Sequence, residues 1–381
     1  LTKSKGSKVD VAKVVNHAEL KHLIKVYVAA KKALFIWGTI GIGKSEIVRQ
    51  VGRELATELT DKEGKPLNLE FSESIKDIND MKKFVVIDIR LSQMDPSDLR
   101  GIPVWDKEAG CTRWLAPSTF PRQGYGLIFF DELNLSAPLV QASAYQMILN
   151  RQLGEYLIPD GFGLIAAGNR LEDRANIFDM AKPLCNRMGH VQLNYPFPEE
   201  WTRWAGPAGI DGRVIGFINA FQSKIFEFDH NSKDKAFATP RTWEFVSDLI
   251  KGVSSTNTDE LLIRIGSMVG ESTAVEFIGF LQLRDELHPI EDYFKKPDTI
   301  DLPEDNLSLF WALMSSIIEY YKIHNNEKTV KALVKLMKRF PEEYATFALK
   351  LMYSIDNTIQ SKLNNIPEAT ELAQKLWKYL R

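Results

Sequence analysis

The sequence predicts an α/β fold, a parallel five-stranded sheet flanked by helices, followed by an all-helical remainder. Three observations carry this. Five short apolar runs, at residues 33–37, 84–89, 127–130, 163–167 and 190–193, are separated by segments of helical period, the pattern of strands buried on both faces beneath crossover helices. A glycine-rich stretch, residues 38–45, follows the first run and opens a helical segment. After Tyr195-Pro196-Phe197-Pro198 the strand signals stop and helical period continues to the end, so a boundary falls near residue 195.

In order, residues 9–31 read as helix and 33–37 as strand. A helix from Lys44 to about Leu59 carries Ile47, Val48, Val51 and Leu55 on one face. The polar stretch 60–80 holds Gly64, Pro66 and one short helix before the strand at 84–89. Residues 102–116 read as a hairpin turning at Glu108-Ala109-Gly110, with Trp105, Arg113 and Trp114 on its arms. Behind the strand at 127–130, Ser136 is the predicted cap of a helix with Pro138 in its first turn. A second hairpin is predicted over 154–162, its aromatics either gripping a partner or buried in the domain. Near the C-terminus, Leu307, Phe310, Trp311, Met314, Ile317, Ile318 and Tyr321 form a helical stripe repeated by Leu333, Leu336, Met337 and Phe340, and residues 301–306 form the linker or cap before it. The predicted domains are 1–195 (α/β), 196–298 (a helical lid) and 299–381 (a helical extension).

Composition limits the function. Lys plus Arg (48) nearly balance Asp plus Glu (50), so no global basic field calls for nucleic acid; Lys3, Lys5, Lys8 and Lys13 form only a short basic arm. Cys111 and Cys185 are the only cysteines, which excludes a disulfide framework and a cysteine-based zinc site and points to a reducing cytoplasm. No apolar run approaches the ~20 residues of a membrane span, and no signal-peptide pattern opens the chain.

Residues 38–45, Gly38-Thr39-Ile40-Gly41-Ile42-Gly43-Lys44-Ser45, fit G-x-x-x-x-G-K-[ST] between a strand and a helix. In that context backbone N–H groups cradle phosphates, Lys44 reaches the β- and γ-phosphates and Ser45 ligates Mg²⁺, with Glu46 opening the helix. The strand at 127–130 ends in Asp131 and Glu132. An acidic pair there is commonly a turn or cap, but downstream of a phosphate loop Asp131 suits a metal ligand and Glu132 a base for the attacking water. Asn169 ends the next strand, predicted to lie beside the one carrying the acidic pair. Its neutral amide can hold a water without titrating.

In order and spacing, residues 38–45, Phe129-Phe130-Asp131-Glu132 and Asn169 resemble the Walker A, Walker B and sensor-1 motifs of AAA+ ATPases. Asn186-Arg187 before the fifth strand and Thr239-Pro240-Arg241-Thr242-Trp243 resemble the family's arginine-finger and sensor-2 segments. Within the family, Gln93-Met94-Asp95-Pro96-Ser97-Asp98-Leu99-Arg100-Gly101, Trp114-Leu115-Ala116-Pro117 and Asp131-Glu132-Leu133-Asn134 are similar to the MoxR branch and its dynein- and midasin-related neighbours. The resemblance spans about residues 10–285; the distance from Walker A to Walker B is longer than in a minimal module, much of it in 60–80.

The resemblance implies ATP and Mg²⁺ as ligands and a homo-oligomeric ring, a hexamer. It implies Glu132, Lys44, Asn169, Arg187 and Arg241 as the catalytic set, with Arg187 acting in the neighbour's site and Arg170 and Arg174 as rivals for that role. The client would be a protein, such as one with a von Willebrand A domain, gripped in part by the 102–116 hairpin near the pore. A nucleic-acid motor or loader of McrB or clamp-loader type is the leading alternative, and a slow nucleotide-gated scaffold the third. No Asn-Lys-x-Asp guanine signature occurs.

Overall fold

The protein's structure, a computed structural model, describes residues 13–372 apart from 62, 171–177, 230–231, 233, 254–256, 304, 357 and 365. Lys3, Lys5 and Lys8 of the basic arm and Arg174 lie outside the described residues. Two compact units follow one another, divided between Tyr195 and Pro196.

The first unit is a parallel sheet with helical crossovers. Its elements are β1 (Lys13–Val15), α1 (His17–Ala29), β2 (Ala33–Trp37), α2 (Lys44–Glu58), β3 (Glu70–Ser72), β4 (Lys83–Arg90), α3 (Pro96–Arg100), β5 (Ile102–Asp106), β6 (Cys111–Leu115), β7 (Tyr125–Asp131), α4 (Pro138–Asn150), β8 (Gln152–Leu153), β9 (Tyr156–Leu157), β10 (Phe162–Gly168), α5 (Lys182–Cys185) and β11 (Met188–Leu193). Seven strands pair in the order β1-β11-β2-β10-β7-β4-β3, all parallel. The five predicted apolar runs form the five inner strands. The edge strands β1 and β3, three residues each, are additions too short to give a periodic signal.

Three local readings change. The helix predicted over 9–31 gives way to β1 and a shorter α1. Val14 and Val15 pair with β11, and Asn16 starts the helix by a reciprocal box in which its Oδ1 accepts from Glu19 N–H at 2.8 Å and its own N–H donates to Glu19 at 3.0 Å. Ser136 does not cap α4: its hydroxyl donates to Leu133 O at 2.7 Å, and Ala137 occupies the cap position ahead of Pro138. The second hairpin spans β8 and β9, residues 152–157 rather than 154–162. Tyr156 and Phe162 are buried there, so neither is offered to a partner.

The first hairpin forms as predicted. Asp106 Oδ1 accepts from the N–H groups of Glu108 and Ala109, both at 3.0 Å, and Gly110 has φ +64°. Every residue of its strands is exposed except the half-buried Asp106.

The second unit is helical: α6 (Pro198–Ala205), α7 (Gly212–Ala220), α8 (Pro240–Ile250), α9 (Thr258–Val269), α10 (Glu271–Gln282), α11 (Ile290–Lys295), α12 (Leu307–Ile323), α13 (Glu327–Arg339), α14 (Glu342–Ile355) and α15 (Ile359–Asn364). The predicted stripe lies on α12 and α13 and is buried except at Leu307, while Asn306 caps α12 by accepting from Leu309 N–H at 3.0 Å. One apolar core runs from Trp201 to Leu372, so among the described residues 299–381 has no core separate from that of 196–298. At its centre the Phe217 ring lies 5.4 Å from Trp243, 5.0 Å from Phe277 and 5.7 Å from Phe280. The Trp243 indole N–H donates to Lys224 O at 2.7 Å.

Truncating this anchor, Trp243→Ala, leaves a large cavity and an unmet carbonyl. It is predicted to destabilise the second unit by about 3–5 kcal/mol, measured as a lower midpoint in denaturant titration.

Candidate functional site

β2 delivers the chain into the glycine-rich loop at Trp37, and α2 begins at Lys44. Gly41 and Gly43 have φ of +77° and +95°, a conformation that favours glycine. Gly43 is the cap residue of α2 and has no side chain to bond the first-turn N–H groups, which with the helix dipole attract anions. The loop is tied to its surroundings by Gly38 N–H donating to Gly168 O at 3.2 Å and by His17 Nε2–H donating to Ile42 O at 3.0 Å.

The charged groups converge beside this loop. Lys44 Nζ donates to Gly38 O at 2.7 Å, Thr39 O at 2.9 Å and Asn169 Oδ1 at 3.2 Å. Ser45 Oγ donates to Asp131 Oδ2 at 3.0 Å. A hydroxyl beside a carboxylate at the head of a phosphate loop fits Mg²⁺, which takes one or two protein oxygens and completes its shell with water and substrate phosphate. Among the described residues no cluster of three or more His, Cys, Asp or Glu is arranged to hold a metal by itself.

β10 lies between β2 and β7, with Ala166 opposite both Phe35 and Phe130. Asp131 ends β7, and Glu132 follows in the left-handed region at φ +55°, which costs a non-glycine residue about 1–3 kcal/mol. Two bonds hold it there: its N–H donates to Asp131 Oδ1 at 2.9 Å, and its carboxylate accepts from the Ser92 hydroxyl.

Asn169 is buried and held at both backbone groups by one side chain. Its N–H donates to Asn134 Oδ1 at 3.1 Å, and its carbonyl accepts from Asn134 Nδ2 at 2.7 Å. Asn134 is fully buried, and a Cβ on Gly168 would come within 2.2 Å of its Oδ1, so Gly168 is needed for this clamp. Sequence reasoning assigned Asn134 no role; the available signal was its place three residues after Asp131.

Asp88 on β4 is a second residue that the sequence reading missed. Burial and the neighbouring Asp131 raise its pKa, while Arg49 and Arg90 oppose the shift; Arg49 lies 3.5 Å from its Oδ2.

Other predicted residues fall elsewhere. Thr39, Gly41 and Ile42 are buried, Ile40 is exposed, and the Glu46 carboxylate turns to Gln50 and Arg53 at 3.2 and 3.3 Å. Arg187 is exposed on the turn between α5 and β11, and Arg170 is half-buried directly after Asn169. Arg241, in the second unit, is exposed in the first turn of α8. A Thr239–Thr242 capping box with Pro240 in the first turn starts that helix.

The first unit is therefore a parallel α/β sheet protein with a glycine-rich loop between strand and helix and two acidic residues at the end of a nearby strand. No family model matches the chain, and no curated protein matches it. Among solved structures it is similar to a presumptive ATPase of Cytophaga hutchinsonii at 13% identity, covering 92% of this chain and 89% of that one with a TM-score of 0.32. NtrX from Brucella abortus is 13% identical over 96% of this chain and 68% of its own, with a TM-score of 0.33. A RuvB mutant from Thermotoga maritima is 13% identical over 73% and 74%, with a TM-score of 0.30.

Replacing Asn134 by Ala strands two buried backbone groups of Asn169 and is predicted to lower stability by roughly 1–3 kcal/mol per unmet group, read by denaturant titration. For Asp88 the folded-state pKa is raised, so ionisation works against folding above the ordinary aspartate range and the penalty disappears below it. Asp88→Asn is predicted to raise the melting temperature near pH 8, with the gain fading as pH falls below about 4.

Proposed function

We propose that this protein is a Mg²⁺-dependent ATPase of the AAA+ class and MoxR type, working as a ring of six copies that remodels or activates a protein client. The observation that carries the reading is the convergence of Lys44, the Ser45–Asp131 pair and Asn169 at the C-terminal ends of adjacent parallel strands, where ligands bind in open α/β sheets.

The chemistry follows from these residues. The loop N–H groups and the first turn of α2 receive the phosphates, and Lys44 turns its ammonium from the loop carbonyls to the β- and γ-oxygens. Bound Mg²⁺ would supply charge neutralisation for the phosphates. Ser45 and Asp131 are the residues that would hold it. Glu132 accepts a proton from the attacking water, and the contact with Ser92 gives its carboxylate an alternative resting partner. Asn169 orients that water through its side-chain amide, on a backbone fixed by Asn134. Arg187 and Arg241 take the phosphate-sensing roles that the resemblance gives them, Arg187 from the neighbouring copy.

A protein client is supported by the β5–β6 hairpin. Trp105 and Trp114 share one face and Ile102 and Leu115 the other, all exposed. Apolar side chains open on both faces of a two-stranded ribbon suit a gripping surface. A von Willebrand A domain is the client class favoured by the resemblance.

The Glu132→Gln protein is predicted to bind a fluorescent ATP analogue as tightly as the parent while kcat falls on the order of 10²-fold or more. Loss of binding together with turnover would argue against this role for Glu132, and unchanged turnover would overturn it. The same ATP-locked protein, used as bait, is expected to retain a protein client, and to lose it when Trp105 and Trp114 are both changed to Ser. DNA-stimulated hydrolysis, with DNA binding that falls steeply with salt, would instead make the protein a nucleic-acid motor.

A further inference from the structure

Arg187 sits on a turn with little structure of its own. α5 is a single turn, Lys182–Cys185, followed by Asn186 and Arg187, whose N–H groups donate to Lys182 O and Leu184 O at 3.0 and 3.1 Å. Carbonyls at a helix C-terminus lack partners within the helix and must find them elsewhere. Cys185 O finds one in His190 Nε2, at 2.7 Å.

The other nitrogen of the same ring faces Trp37, at the end of the strand before the glycine-rich loop. Trp37 Nε1 lies 3.1 Å from His190 Nδ1. An indole N–H can only donate and a carbonyl can only accept, so Nδ1 is the acceptor and Nε2 carries the proton. The bonds thus select one neutral tautomer and run in one direction, Trp37 to His190 to Cys185 O. Trp37 is the last residue of β2, directly before Gly38. The aromatic rings hold the link laterally: the Phe35 centroid is 4.5 Å from Trp37 and 5.6 Å from His190, and Phe35 is fully buried. Pairing of β2 with β11, with His190 opposite Phe35 and Gln192 opposite Trp37, brings these side chains to one face.

We propose that His190 is a positioning residue that ties the root of one copy's phosphate loop to the turn presenting Arg187, and so sets where that guanidinium stands for the neighbouring copy's site. The inference rests on the proposed ATPase reading, in which Arg187 acts in trans. Arg187 itself is exposed and carried by a one-turn helix. The Trp37–His190–Cys185 link is a side-chain hydrogen-bond tie from that turn to the strand before the loop.

The test is a double-mutant cycle on steady-state ATP hydrolysis by the full chain, with nucleotide affinity measured in parallel. His190→Phe keeps an aromatic ring and removes both part-buried hydrogen bonds; it is expected to lower kcat roughly tenfold, the size of effect that loss of a hydrogen bond produces, with KM and ATP-analogue affinity within about twofold. Trp37→Phe, which removes the donor with the pyrrole half of the indole and keeps a six-membered aromatic ring, is expected to shift kcat the same way and guards against a folding defect in the first variant. His190→Gln, able to accept and donate, should recover part of the rate. In an Arg187→Ala background His190→Phe should cost nothing further, because its effect runs through Arg187. An undiminished effect of His190→Phe in that background, or no effect of His190→Phe where Arg187→Ala lowers kcat, overturns the proposal and leaves the ATPase reading intact. If Arg187→Ala leaves kcat unchanged, the trans-acting arginine is itself misassigned and the proposal falls with it.

Discussion

The parallel pairing of β10 with both β2 and β7 is the constraint on which the site depends. It aligns the ends of three strands, so that the loop after β2, the acidic pair after β7 and Asn169 after β10 emerge on one edge of the sheet. A slip of one residue would turn the side chains of β10 to the opposite face and separate Asn169 from Lys44. Burial guards against that slip: β10 is buried along its whole length, and its neighbours are closely packed. The site is precise because the core beneath it has a strong register.

Above that core, a small set of polar groups converts strand register into side-chain geometry. Asn134 occupies both backbone groups of Asn169, His17 holds the carbonyl of Ile42, and Ser92 holds Glu132. Each bond adds little net stability, about 1 kcal/mol. Their value lies in holding Asn169, the loop and Glu132 in place. They also account for the strain at Glu132, whose left-handed backbone is maintained by its own N–H bond to Asp131 and by Ser92.

Much of this fold was legible because buried parallel strands are short, apolar and bounded by turn residues. Residues 33–37, 84–89, 127–130, 163–167 and 190–193 all lie within the inner strands. What escaped was either too short or decided by a single side chain. β1 and β3 have three residues each, and β1 was absorbed into a predicted helix that Asn16 in fact starts. Ser136 has the composition of a cap but bonds Leu133 instead, while the second hairpin shifted because Tyr156 buries its ring and donates to Pro121 O. Asn134 stood in a motif without a role and Asp88 carried no pattern, since the importance of each comes from partners 35 and 43 residues away in the chain.

By itself the sequence determined the local chemistry: a phosphate-type loop between strand and helix, two carboxylates ending an apolar strand, and an amide ending another. These are properties of residues adjacent in the chain, and adjacency with period is what a sequence records. The neighbouring of the Asn169 and Asp131 strands was also legible, but only the tertiary structure decided the rest of the strand order, the Lys44–Asn169 and Ser45–Asp131 contacts, the clamp by Asn134 and the tie from Trp37 through His190 to the Arg187 turn. Those contacts join residues up to 153 positions apart, and their geometry is set by the pairing and packing of strands, which no local pattern encodes.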